Sequence, residues 1–530
     1  MVFGTPPAMP RSRAGLAPWR RRAVIAVALG TVFGIGATAC AEPAGGDGDR
    51  GLARFYEQAV DWGACAGYAE DPATGRALES TGFECARVTV PLDYGDPGGA
   101  TAELAVTRLA TATSKIGSLV VNPGGPGASG IGTAANLAQV WSGTELADRF
   151  DLVSWDPRGV AASTPEVQCL TGTEMDEYRR LDHVDMSAEG IARTEADMQR
   201  YIDACAERSG MELLTNVGTR ENVLDLDILR SVLGDDELNY LGYSYGTYLG
   251  ARYAERFPGS VRAMVLDGAV DPAMDLGDSI VQQGQGFQRS FDAFVADCGP
   301  RPECPLSDDR DVAIKEFRAL VDPLVDSPAW TSDGRGLGYS DAMSGVIQAL
   351  YSPQLWRLLR SGLIELGDGI GDPLLLLADT YEGRQDDGSY FNSTSAFHAV
   401  NCVDTVAVTD REQWGQYDTR YRSVAPFTDD GRGTGQAPLD ICAFWPVDPT
   451  SGPAQLDIPD SVPPSLVVST TGDPATPYEA GVELAQQLGG GMLTYEGDQH
   501  TVVLGLDECV DTHVTRYLVD LRLPPEGERC

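Results

Sequence analysis

Gly242-Tyr243-Ser244-Tyr245-Gly246 sets a serine between two glycines. A serine hydroxyl is a weak nucleophile until a base takes its proton and an acid orients that base. On a sharp turn between a strand and a helix the hydroxyl stands clear of the sheet, and flanking glycines let the chain pack closely. The helix amino terminus then favours negative charge beside Ser244. Of the four histidines, His500 fits the base, since it follows a short polar turn late in the chain. His513 falls in an amphipathic helical stretch, His183 precedes the serine in a charged segment, and His398 belongs to a helical region. Two acids compete. Asp473 lies in Thr471-Gly472-Asp473-Pro474-Ala475-Thr476-Pro477 and is expected on the loop beside His500, whereas Asp267 follows an apolar run and also suits a turn or helix cap. Developing negative charge needs backbone donors, expected from the Tyr245 amide and, in Pro123-Gly124-Gly125-Pro126-Gly127, from Gly125. That loop lacks the Lys-Ser/Thr ending of a phosphate-binding loop, and no dinucleotide fingerprint occurs, so no cofactor is expected. The chemistry these residues can do is acyl transfer to water, from an amide or an ester.

Such a constellation needs strands that deliver loops at their carboxyl ends. Arg87–Leu92 and Ala102–Leu109 alternate like antiparallel strands. Ser118–Asn122 and Phe150–Asp156 are short apolar runs ended by Pro-Gly-Gly-Pro-Gly and Pro157-Arg158-Gly159, as buried parallel strands would be. A helix is expected over Glu221–Gly234, a strand over Leu238–Tyr243, a helix from Tyr245 to Arg256 and a strand over Val261–Leu266. The sheet pattern returns at Ser465–Thr470 and Gly491–Tyr495. This alternation predicts an open, mostly parallel α/β sheet. Between about 281 and 450 strand-like runs are sparse, which predicts a mainly helical cap inserted between two parts of the sheet domain, 61–280 and 451–530.

The 530 residues include 78 acidic and 39 basic side chains, a formal charge of −39 that disfavours a nucleic-acid partner. Hydrophobic residues make up 42 % of the chain, enough for a large core. Residues 1–39 join an arginine run (Arg11, Arg13, Arg20, Arg21, Arg22) to the apolar stretch Ala23–Ala39, the pattern of an export signal. Cys40 stands where a lipid-modified cysteine would become the first residue, although Ala37 occupies the place where leucine is usual. Residues 40–60 then form an anchor and polar linker. With Cys40 set aside, ten of the eleven cysteines remain, an even number that suits five disulfides in an exported chain. Sequential pairing is the simplest arrangement but spacing leaves the connectivity open, and no cluster has metal-binding spacing.

Taken as a set, these residues resemble the tripeptidyl aminopeptidase branch of the α/β-hydrolase fold, exported bacterial exopeptidases related to proline iminopeptidases. The matching segments include Trp62-Gly63-Ala64-Cys65, Glu84 to Tyr94, Asn122 to Gly127, Asp156-Pro157-Arg158-Gly159, the Ser244 pentapeptide, Asp473 to Pro477 and Cys509 to Cys530. Gln499 replaces a glycine common before the histidine, and Val160 replaces a common polar residue. The resemblance implies a triad of Ser244, Asp473 and His500, oxyanion donors at Gly125 and Tyr245, and release of tripeptides from substrates with a free amino terminus. Asp404, in a segment that resembles one facing the pocket, is the candidate ligand for the substrate ammonium. No obligate protein partner is implied. The working place is outside the cell or on the outer face of its membrane, attached there through Cys40. An exported carboxylic-ester hydrolase or a mono-aminopeptidase with the same triad, and a catalytically silent binding protein, are the alternatives.

Overall fold

In the computed structural model, residues 47–111 and 115–530 are described; the segment expected to be an export signal, with Ala37 and Cys40, lies outside them. Eight strands form one sheet in the order β1-β2-β4-β3-β5-β6-β7-β8. They are β1 (Glu84–Pro91), β2 (Thr101–Leu109), β3 (Gly117–Asn122), β4 (Phe150–Asp156), β5 (Leu238–Tyr243), β6 (Val261–Asp267), β7 (Leu466–Thr470) and β8 (Gly491–Tyr495). The β1/β2 and β2/β4 pairs are antiparallel and every other pair is parallel. All six residues of β3 and of β5 are buried, which is why these strands read as continuous apolar runs. Alternation still decides which face each residue joins. Val120, Val153 and Tyr240 pack with helices on one face, while Leu119, Val121, Leu152 and Leu241 pack on the other.

The strand order reverses at β3, with β4 on one side and β5 on the other. A crevice forms at the carboxyl end of such a switch point because the two connections leave in opposite directions. Both the glycine loop after β3 and the serine turn after β5 open into it.

No strand of the sheet lies between Asp267 and Leu466 among the described residues. α-Helices run from Leu276–Cys298 to Arg411–Val424, followed by irregular chain with one short 3-10 helix, Ile441–Phe444. The α-helices close on an apolar core of their own around Phe291, Phe317, Trp356 and Phe427. One part of this cap comes from elsewhere in the chain. Sequence patterning leaves residues 172–209 in the sheet domain, but the helices Gly172–Tyr178 and Ala188–Ser209 lie against the cap. Arg179 pairs with Asp341 and Asp379, Ser340 donates to Asp182, and the Tyr201 ring meets His398 edge-on. Polar pairs between distant segments carry no local periodicity, so the pattern alone does not show them. The disulfides do follow sequential pairing: Cys65–Cys85, Cys169–Cys205, Cys298–Cys304, Cys402–Cys442 and Cys509–Cys530.

The Asp156-Pro157-Arg158-Gly159 segment turns out to be structural. Arg158 and Asp225 side chains are both 0 % exposed and paired through two bonds of 2.7 Å. The remaining guanidinium hydrogens go to the carbonyls of Pro91, Leu92 and Asn216, and Tyr94 donates its hydroxyl to Asp225. A buried charge is tolerable only when fully paired. Arg158→Ala should therefore cost about 3–5 kcal/mol, because it strands the Asp225 carboxylate. The check is the urea unfolding midpoint, and an unchanged midpoint would refute the assignment.

Candidate active site

The register Asn122↔Gly242 sets the glycine loop directly beside the serine turn. Ser244 sits between β5 and the helix Tyr245–Arg256 with φ +54° and ψ −124°, a conformation that costs a non-glycine residue energy and needs support. Its amide donates to the Asp267 carbonyl (2.9 Å), and its carbonyl accepts from the Thr247 amide and hydroxyl (2.8 and 2.6 Å). The glycines are explained by contact. A Cβ on Gly242 would stand 2.4 Å from the Gly246 carbonyl oxygen. One on Gly124, at φ +90°, would stand 2.4 Å from the Tyr243 carbonyl oxygen. The Gly124 amide donates to Asn122 Oδ1 (3.0 Å), leaving Gly125 as the next donor of the loop. Gly125, Ser244 and Tyr245 line one cavity.

Asp473 is 0 % exposed. Its Oδ1 accepts the amides of Ala475 and Thr476, and its Oδ2 accepts the Thr476 hydroxyl. His500 Nδ1 lies 2.9 Å from both carboxylate oxygens and 3.3 Å from Thr476 Oγ1. The cap holds the other side of His500, whose amide donates to the Tyr351 carbonyl (2.9 Å) while the Tyr351 ring packs edge-on at 5.5 Å. Burial pushes the imidazole pKa down, but the Asp473 charge, the Asp473 hydrogen bond and the Asp267 charge outweigh it, so the net shift is upward.

Asp267, the competing acid, makes no bond to the ring among the described residues. Its Oδ2 accepts the amides of Val502 and Val503, each at 2.7 Å, just past a Thr501 held at φ +61°. Burial raises its carboxyl to about 7, against the pull of those amides. One residue thus grips Ser244 through its carbonyl and the His500 loop through its carboxylate. Sequence reasoning gave Thr476 no role; the signal available was a hydroxyl three residues after an aspartate, the spacing of an Asx turn.

The cavity over Ser244 holds about 400 Å³. A larger groove of about 830 Å³, along Glu195 and Arg411, contains none of these residues. Chemistry rather than size selects the site. Its lining includes the carboxylates Asp271, Asp404 and Asp440, and neither lysine nor arginine. Asp404 is buried and already engaged. It accepts the amide and hydroxyl of Thr219 and the hydroxyl of Ser451, serving as cap for the helix Thr219–Val232, whose N-cap Gly218 has no side chain to offer. The Thr219 hydroxyl is also bonded to that of Tyr245. Burial pushes the Asp404 carboxyl up to about 6. Asp440 likewise caps a turn through the Cys442 amide (2.9 Å), and its carboxyl is raised by burial.

If Asp267 is the tether described, Asp267→Ala leaves two interior amides without an acceptor, at about 1–3 kcal/mol each. Asp267→Asn keeps an acceptor oxygen. The alanine variant should unfold at lower temperature and lose kcat, with the asparagine variant intermediate. Thermal midpoints and turnover of one peptide substrate check this, and equal behaviour of the two variants would contradict it.

A family model for the alpha/beta hydrolase fold matches residues 117–504. Serine protease Hip1 of Mycobacterium tuberculosis is 48 % identical over 91 % of this chain and 93 % of its own length. Carboxylesterase B of the same species is 45 % identical over 97 % and 99 %. Tripeptidyl aminopeptidase of Streptomyces lividans is 31 % identical over 90 % and 88 %. With its mostly parallel sheet and a serine on the turn after β5, the chain belongs to the α/β-hydrolase fold family, in the group that holds these relatives.

Proposed function

We propose that this protein is a serine exopeptidase that releases short peptides, tripeptides by family resemblance, from the free amino terminus of oligopeptides. The observation that carries the reading is the cavity over Ser244, lined by three carboxylates and by neither lysine nor arginine. A peptide amino terminus is an ammonium, and a partly desolvated cluster of carboxylates attracts it strongly. Serine hydrolysis itself follows from the fold and from the relatives named serine protease and aminopeptidase.

In this mechanism Ser244 Oγ attacks the scissile carbonyl and gives its proton to His500, which Asp473 orients through Nδ1. The amides of Gly125 and Tyr245 receive the developing oxyanion. His500 then protonates the leaving nitrogen as the C–N bond breaks. Water, activated by the same imidazole, releases the acyl group. Asp404 and Asp440 receive the substrate ammonium. The five disulfides fit an oxidising compartment, and the proposal includes export and attachment through a lipidated Cys40.

An ester hydrolase is the second reading, favoured by two observations. One relative is named a carboxylesterase, and the Asp404 oxygens are already committed to Thr219 and Ser451. N-acetylation of a peptide substrate separates the two. For the exopeptidase, acetylation should lower kcat/KM by roughly 10–100-fold, the worth of a charge-assisted bond. Undiminished cleavage of the acetylated peptide, or turnover of esters alone, would favour the esterase. Mass analysis of products from unblocked peptides then fixes the length released.

The base works only when neutral, and its pKa is raised. Activity should therefore fall as pH drops through a value above the ordinary histidine 6.5. Asp473→Asn should move that acid limb downward and reduce kcat by about 10⁴. The pH profile of kcat/KM tests both, and an acid limb that does not respond to the substitution would remove Asp473 from the role.

A further inference from the structure

Tyr381 closes the helix Asp372–Glu382 at the mouth of the Ser244 cavity, and 44 % of it stays exposed although it is a large aromatic residue. It does not stand alone. Its ring lies 6.4 Å from that of Tyr351, Tyr351 packs edge-on against His500 at 5.5 Å, and Phe287 backs Tyr351 at 5.4 Å. Both tyrosines line the cavity. A chain of rings therefore runs from the imidazole to the solvent edge.

The chemistry of the base says which part of the substrate meets these rings. In the bond-breaking step the C–N electron pair goes to nitrogen, the carbonyl re-forms from the oxyanion, and His500 gives the proton it took from Ser244 to that nitrogen. The leaving nitrogen must then be within hydrogen-bond reach of the imidazole. Whatever is attached to it lies against the groups packed on the imidazole, first Tyr351 and then Tyr381. The carboxylates connect to the site differently: Asp404 reaches it through Thr219 and the Tyr245 hydroxyl.

We propose that Tyr381, supported by Tyr351, is the binding platform for the side chain of the first residue of the leaving peptide, and that it selects aromatic and large apolar side chains there. This rests on the peptidase reading given above. An aromatic ring held on a second ring is rigid and presents an apolar face at small entropic cost. That face is available in the free protein because the cap leaves it open.

The test uses unblocked peptides with one common amino-terminal tripeptide followed by Phe, Leu, Gly or Asp. Cleavage of the bond before the varied residue is measured as kcat/KM. The unaltered protein should favour Phe over Gly by about tenfold. Tyr381→Ala should bring that ratio toward one, whereas Tyr381→Phe should keep it. Cleavage of all four peptides without ranking, or a ranking that survives in Tyr381→Ala, overturns the platform and leaves the peptidase reading intact. Failure to cleave any of them, with Ser244 still labelled by a fluorophosphonate, overturns the peptidase reading and the platform with it.

Discussion

The two halves of the site sit on separate strands, and Asp267 is the residue that locks them together. Its carbonyl holds the strained Ser244 and its carboxylate holds the turn past His500. Both Ser244 and Thr501 occupy positive φ, where side chains are disfavoured and persist only when neighbours over-determine them. Placing both anchors on one buried residue at the end of β6 couples their geometry, so a shift of the serine turn displaces the histidine turn as well. Asp473 completes the arrangement from β7. The Ala475 and Thr476 amides and the Thr476 hydroxyl fix its carboxylate in place, as its proposed role beside an imidazolium calls for.

Much of this was legible in the sequence, because short buried strands leave an unambiguous trace. Phe150–Asp156, Leu238–Tyr243 and Gly491–Tyr495 are strands at the expected boundaries, and the helix Tyr245–Arg256 runs over the expected residues. Once the strands are placed, Ser244, Asp473 and His500 fall on the loops after β5, β7 and β8, at the carboxyl edge of the sheet. Asp473 rather than Asp267 meets the ring, as loop proximity suggested. What the sequence could not show depends on contacts between distant segments. Asp404 as a helix cap depends on a glycine at position 218, 186 residues earlier in the chain, lacking a capping side chain. The attachment of residues 172–209 to the cap depends on Arg179 finding two acids far ahead of it. Neither leaves a periodic signature.

In the proposed reading, substrate recognition and fold stability share residues. Asp404 and Asp440 face the cavity and at the same time terminate backbone structure, and the Cys402–Cys442 bridge binds their two segments to each other. A carboxylate committed to a helix end is held at a fixed place without any neighbouring arginine to neutralise it. That is the arrangement an ammonium-binding surface needs, because a pre-formed salt bridge would compete with the substrate.

The two-part cap also bears on how the chain reaches its native state. One part is made before β5 and the other after β6, so the first part waits through the synthesis of both strands for the acids that will pair with Arg179. Contacts of that separation form late and at high loop-closure cost. The later helices have a core of their own, but their link to residues 172–209 through Arg179 joins only when Asp341 and Asp379 have been made. Until then the face of residues 172–209 that meets the cap, with the Tyr201 ring, stays uncovered, the kind of surface that makes a partly made chain prone to aggregate.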